Sequence, residues 1–335
     1  VPLLILLLLG CPKTPPAPAI EAPPAPVEAP REPAVDLELK PMPAGLDGPV
    51  EALVSGPGST VLVSTRGPTV RLVEVPGGVS VGAMAIEDVQ QVGVSPDGRL
   101  AALGAWQHMY GVGLADGRTV WHATYDENPR RIVYLPDSSA LLLGVSNRAE
   151  LRSATDSAVR WSYTLGPPPT EDDVDSVVAL ASYGQEVFVG EHDHVTRLDL
   201  ATGAVRGVLG RMGPHVGHLA VTPDGRHLLA GGWDKRVTCW EIASGAPCGA
   251  VDMAGWVSAM EVSPDGRLVA ATDLSGGVVV LAVPGLARVA QAALDAETDG
   301  SLTWTRDGRW LVVGADTLQY APTPAIRVED PGSLR

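Results

Sequence analysis

The sequence predicts an all-β fold, a seven-bladed β-propeller of four-stranded antiparallel blades, on three observations. Asp-Gly-Arg lies between two apolar runs at Asp97, Asp224, Asp265 and Asp307. Gly225, Gly266 and Gly308 are 41 and 42 residues apart, and the 127 residues from Gly98 to Gly225 make three such periods. Weaker copies fill the gaps: Leu135-Pro-Asp-Ser-Ser, Tyr183-Gly-Gln and Gly58. Seven turns therefore fall at 58, 98, 138, 184, 225, 266 and 308, a period that belongs to repeat architectures.

Within each unit an apolar run such as Val92-Gly-Val-Ser ends in Pro-Asp-Gly. Proline presets φ at the first corner and glycine accepts the positive φ of a tight hairpin. The second strands, Leu100-Ala-Ala-Leu, Leu228-Leu-Ala and Leu268-Val-Ala-Ala, are nearly continuous apolar runs, as in strands covered on both faces. A third strand, as at Val237 or Val278, leads to a second turn such as Thr202-Gly203 or Ser244-Gly245. One such sheet cannot bury its own faces, and a closed ring of them leaves no bare end.

The fifth unit resembles a WD40 repeat. Thr222-Pro-Asp-Gly-Arg-His-Leu-Leu-Ala-Gly-Gly-Trp-Asp234 runs to Trp240-Glu241, with His215 at the place of the family's Gly-His histidine. The resemblance implies that His215, Asp234 and Trp240 brace the blade. Glu241 replaces the family's aspartate, and the supporting serine is absent near Ala230. A second resemblance, to quinoprotein-type propeller repeats, rests on Leu114-Ala-Asp-Gly-Arg-Thr-Val-Trp121 and Ala154-Thr-Asp-Ser-Ala-Val-Arg-Trp161. That family includes the propeller lipoprotein of the outer-membrane barrel assembly machine.

Residues 1–11 read as a lipoprotein signal. Leu3 to Leu9 is an apolar run too short to span a bilayer, and Leu8-Leu9-Gly10-Cys11 matches a lipobox, making Cys11 the lipidation site. Residues 12–45 form a Pro/Ala/Glu-rich tether without apolar periodicity. Inside it, Val35-Asp-Leu-Glu-Leu39 alternates like a strand and competes with Ala325-Ile-Arg-Val328 to close the ring of a domain spanning 46–330.

A net charge of −15, with lysine only at 13, 40 and 235, argues against nucleic acid and anionic head groups as partners. Cys239 and Cys248 flank a hairpin turn and are read either as a disulfide or as two buried thiols. His192 and His194, beside Glu191 and Asp193, are the densest set of metal-ligand types, yet their place in a hairpin favours a solvated turn. Glu171-Asp-Asp-Val-Asp175 lacks calcium-loop spacing and reads as an acidic insertion. Gly78-Val-Ser80-Val-Gly82 matches a nucleophile elbow only formally, since no helix follows.

No catalytic residue, metal or cofactor is therefore expected. Strands near the channel, such as Val92-Gly-Val and Leu219-Ala-Val, suggest an apolar pore. The expected working surface is a rim carrying Trp106, His108, His192, His194, Trp233, Lys235 and Trp256, with Leu274 in an equivalent hairpin. The resulting expectation is a monomeric, lipid-anchored scaffold of a bacterial envelope, on the periplasmic face of the outer membrane or the cell surface. It would bind another protein or an envelope component. The alternatives are a barrel-assembly accessory lipoprotein or an enzyme using the central channel.

Overall fold

All seven turn positions read from the repeat have positive φ, from 57 to 75°, including Ser138, the one that is not glycine. In the computed structural model, which describes residues 35–36, 39–41, 50–65, 67–166, 179–294, 301–314 and 324–327, each turn joins the first two strands of a sheet. The Ser/Thr-x-Asp-Gly-Arg copies share one hydrogen-bond pattern. In the first, the Ser95 hydroxyl donates to Asp97 Oδ1 (2.6 Å) and accepts from the Leu100 amide (2.9 Å), while the Arg99 amide donates to the same carboxylate (3.0 Å). Thr222, Ser263 and Thr305 repeat the hydroxyl-to-aspartate bond, each at 2.6 Å. These bonds, led by the serine or threonine hydroxyl, hold the Asp97 and Asp224 carboxyls below the ordinary carboxylate range.

The chain is an all-β propeller of four-stranded antiparallel blades. Six consecutive blades run from Val50 to Ala293: Val50–Met84, Val89–Thr124, Pro129–Thr164, Leu180–Arg211, Val216–Asp252 and Val257–Ala293. This corrects the expectation of a seven-bladed propeller: the structure shows six blades, each built from one continuous stretch of chain. The last repeat gives only the hairpin Leu302–Trp304 and Trp310–Val313, which Pro324–Arg327 and then Leu39–Pro41 extend as a composite sheet. Of the two segments that competed for the closing slot, residues 325–327 lie in this sheet, whereas the other reaches it only through Leu39. Val35–Asp36 instead adds a parallel fifth strand to the sixth blade, against Ala287–Ala293. The innermost strands neighbour one another around the ring, and Leu302–Trp304 touches those starting at Val257 and Val50.

Second strands are the most deeply covered. Ala140–Val145 and Leu268–Asp273 are buried at every residue, which is why Ala140–Val145 and residues 268–271 are apolar without alternation. Outer strands alternate, as in Val159–Thr164, where Trp161 is buried between exposed neighbours. The core lies between blades: Phe188 and Ala181 of the fourth pack with Leu219, Leu228 and Trp240 of the fifth. Each leucine so buried contributes about 2 kcal/mol relative to exposure.

Tryptophan indoles also link neighbouring blades by hydrogen bonds. Trp121 Nε1 donates to the Ala154 carbonyl and Trp161 Nε1 to that of Leu200, both at 2.8 Å, and Trp304 Nε1 to that of Glu261 at 3.1 Å. Gly203, at φ +71°, leaves room for Trp161, whose ring atoms would lie 2.8 Å from an added Cβ. Cys11, the tether up to Ala34, the acidic segment 171–175 and Val328 lie outside the described residues.

Candidate functional site

On one face of the ring, the hairpin between the second and third strands of a blade meets the loop that enters the blade. The Trp233 amide donates to the His215 carbonyl (3.2 Å), and the Leu274 amide to that of Trp256 (3.1 Å). His215 and Trp256 are therefore equivalent positions of successive blades, as their sequence spacing implied. The Trp233 and Trp256 rings stack at 4.9 Å and 10°, and the His215 ring lies 3.9 Å from Trp233. Although stacked, Trp233 and Trp256 remain 41% and 42% exposed, so about two fifths of each is presented outward.

The other rim residues divide into separate groups. Trp106, 59% exposed, stands on the hairpin of the second blade, three blades before the one that carries Trp233. His108 belongs to a neighbouring cluster, its Nδ1 3.1 Å from Nε2 of His122, whose ring stacks on Tyr110 at 4.7 Å. Sequence reasoning missed Tyr110 and His122 because they come from two strands joined only by register, His122 opposite Tyr110. Lys235, at φ 60°, accepts the Met253 amide on its carbonyl at 2.7 Å and so fixes the loop before Trp256.

His192 and His194 are more tied down than a solvated turn. The buried Glu191 carboxylate accepts the Tyr163 hydroxyl (2.8 Å) and the Thr196 hydroxyl. Burial, then the bond to Glu191, pushes the Tyr163 phenol up to about 12. His194 Nδ1 lies 2.7 Å from Asp193, which also pairs with Arg211. The His215 amide donates to the His192 carbonyl, docking this turn on the loop that carries His215. Among the described residues, no group of three or more His, Cys, Asp or Glu is placed to hold a metal ion.

Asp234 accepts the amides of Gly213 (3.1 Å) and Arg236 (3.2 Å), and Trp240 is buried against Gly210. Asp273 does the same for the sixth blade, accepting the amides of Gly255, Ser275 and Gly277. It escaped notice because it stands two residues early relative to Asp234. Cys239 and Cys248 form a disulfide between the third and outer strands, with Cα atoms 5.2 Å apart. A bulge there pairs Cys239 with Gly249 and Trp240 with Pro247, leaving Cys248 as the extra residue.

Residues 207–241 match the WD domain, G-beta repeat family. The matched segment carries His215, Asp234 and Trp240, so the WD40-like character of the fifth blade rests on its sequence as well as on the propeller. No curated protein sequence matches this chain.

The central channel corrects the apolar pore. Its lining includes Glu51, Gln91, Arg131, His218 and Glu261 along with the small residues. Five blades start their inner strand with a bulge at one place, between Val50 and Ala52, Val89 and Gln91, Pro129 and Arg131, Val216 and His218, and Val257 and Ala259. A bulge reverses which side chains face inward, so Gln91, Arg131 and His218 line the pore where strict alternation would not show them.

Proposed function

We propose that this protein is a non-catalytic interaction scaffold, a lipid-anchored propeller outside the cytoplasm that docks another protein or envelope component on its rim. The observation that carries the reading is the Trp233–Trp256 stack beside His215. Large aromatic side chains held rigid but exposed are the usual anchors of protein interfaces, since they bury much area with little loss of rotamer freedom. WD40-like propellers commonly serve protein–protein recognition, which agrees with the matched fifth repeat. The anchor would be the lipobox cysteine, Cys11, with the Pro/Ala/Glu tether as a spacer.

Photo-crosslinkers placed at 233, 256 and, as a control, at Val205 of an outer strand test the rim in intact cells. Adducts at the first two positions, each lost when the other tryptophan is replaced by serine, support the reading. Equal adducts at all three positions, or none, remove it. Labelling with a palmitate analogue, abolished by Cys11→Ser, tests the anchor. A second reading, a barrel-assembly accessory lipoprotein, is favoured by Trp121 and Trp161 occupying equivalent outer-strand positions. Co-purification with a β-barrel insertion complex from solubilised envelope would decide for it.

A further inference from the structure

The channel holds polar groups that the rim reading leaves unused. A cavity of about 300 Å³ opens among the inner strands, lined by Arg131 and Tyr134 of the third blade, His218 of the fifth and Glu261 of the sixth, with Glu51 and Gln91 from the first two. Two of these carry orphan atoms: Arg131 Nε and the Tyr134 hydroxyl are buried without a hydrogen-bond partner. Buried polar groups in folded proteins are almost always satisfied, so two orphans in one cavity point to a missing occupant. The volume is at the lower end of small-ligand pockets.

We infer that the central channel binds a small organic monocarboxylate, its carboxylate on the Arg131 guanidinium and its body among His218, Gln91 and Tyr134. A guanidinium matches a carboxylate bidentately, and it is the one cationic side chain named in this lining that stays charged at neutral pH. Burial, and then repulsion from Arg131, lower His218 to about 3, so its imidazole is neutral and serves as a hydrogen-bonding wall. Glu51 and Glu261 face the same space and oppose a second negative charge, which disfavours phosphate dianions and dicarboxylates. Burial raises Glu261 to about 7, and the Thr303 hydroxyl and Trp304 amide bond to it. Half-protonated near neutrality, it can donate to the ligand. This reading goes beyond the rim and does not depend on it.

The test is calorimetric titration of the full chain with acetate, lactate, benzoate, succinate and inorganic phosphate, each to on the order of 10 mM. The expected result is saturable binding of at least one monocarboxylate, weakened about tenfold or more by Arg131→Gln and unaffected by Trp233→Ser. Because Arg131→Gln can disturb folding, Gln91→Ala is the second variant, expected to weaken the same ligand with an unchanged melting temperature. No heat from any probe, equal binding by wild type and both channel variants, or preference for phosphate or succinate would overturn the assignment. Loss of rim crosslinking by Trp233→Ser with channel binding intact would separate the two surfaces.

Discussion

The Arg306 guanidinium donates to the carbonyl oxygens of Pro96 (2.7 Å) and Ser95 (3.1 Å), tying the last Asp-Gly-Arg turn to the first across 210 positions of sequence. It reaches past the first blade, whose short Pro57-Gly58 turn packs under Gly98, 3.1 Å from an added Cβ. The seam of the ring is thus clasped by one side chain in addition to strand pairing. Arg306→Ala should lower stability by about 1–2 kcal/mol, the value of charge-assisted bonds with partial solvent access. Arg306→Lys, with a single point of charge, should recover part of it. Urea unfolding checks this, as a fall in midpoint with unchanged slope.

Turn chemistry made much of the fold legible. Glycine adopts positive φ without steric cost and proline fixes its own φ, so seven turns could be placed from letters alone, and all seven have positive φ. What the letters hid were features set by pairing. The composite last sheet depends on Leu39–Pro41 meeting Pro324–Arg327, and two short segments from opposite ends carry no local signal of each other. The rim pair Trp233 and Trp256 was visible because each sits at a fixed place in its repeat. Arg131 and His218 were not, since one bulged residue per inner strand changes which face looks into the channel.

The indole bonds make a sharper prediction about cooperation between blades. Trp161 is nearly buried and donates to Leu200 of the next blade. Trp161→Phe keeps most of the ring but leaves that carbonyl without its donor, for a loss of about 1–2 kcal/mol. Trp161→Ala also opens a cavity over Gly203 and should lose about 3–5 kcal/mol. Denaturant titration of the two variants separates the bond from the volume.

The Cys239–Cys248 bridge closes a short loop, nine residues apart in sequence. Chain entropy assigns such a loop at most about 2–3 kcal/mol. The hairpin is already paired through Val237↔Val251 and Thr238↔Ala250, so the full amount is not expected. Cys239→Ser with Cys248→Ser should reduce stability by about 1–2 kcal/mol and leave the circular dichroism of the blades intact. Reducing agent should do the same to the wild type and nothing to the variant.

The channel should give stability two opposed pH dependences. Glu261 is raised by burial from its ordinary 4.5 to about 7, so between those values the folded state holds a proton that the unfolded state has released. Its contribution is full below 4.5 and is lost as pH rises through about 7. His218 is lowered, by burial and then by Arg131, from 6.5 to about 3, so the unfolded state takes up a proton that the folded state refuses. That contribution is full above 6.5 and is lost as pH falls toward 3. Where the windows overlap, from 4.5 to 6.5, the slopes oppose and wild-type stability should be nearly flat. Glu261→Gln should therefore gain on the wild type as pH rises through 7, and His218→Asn should gain as pH falls below 6.5. Each gain should be at most a few kcal/mol, since one unit is worth about 1.4 kcal/mol. Urea midpoints across the two windows check it, and parallel profiles for all three proteins would mean that neither group is buried as described.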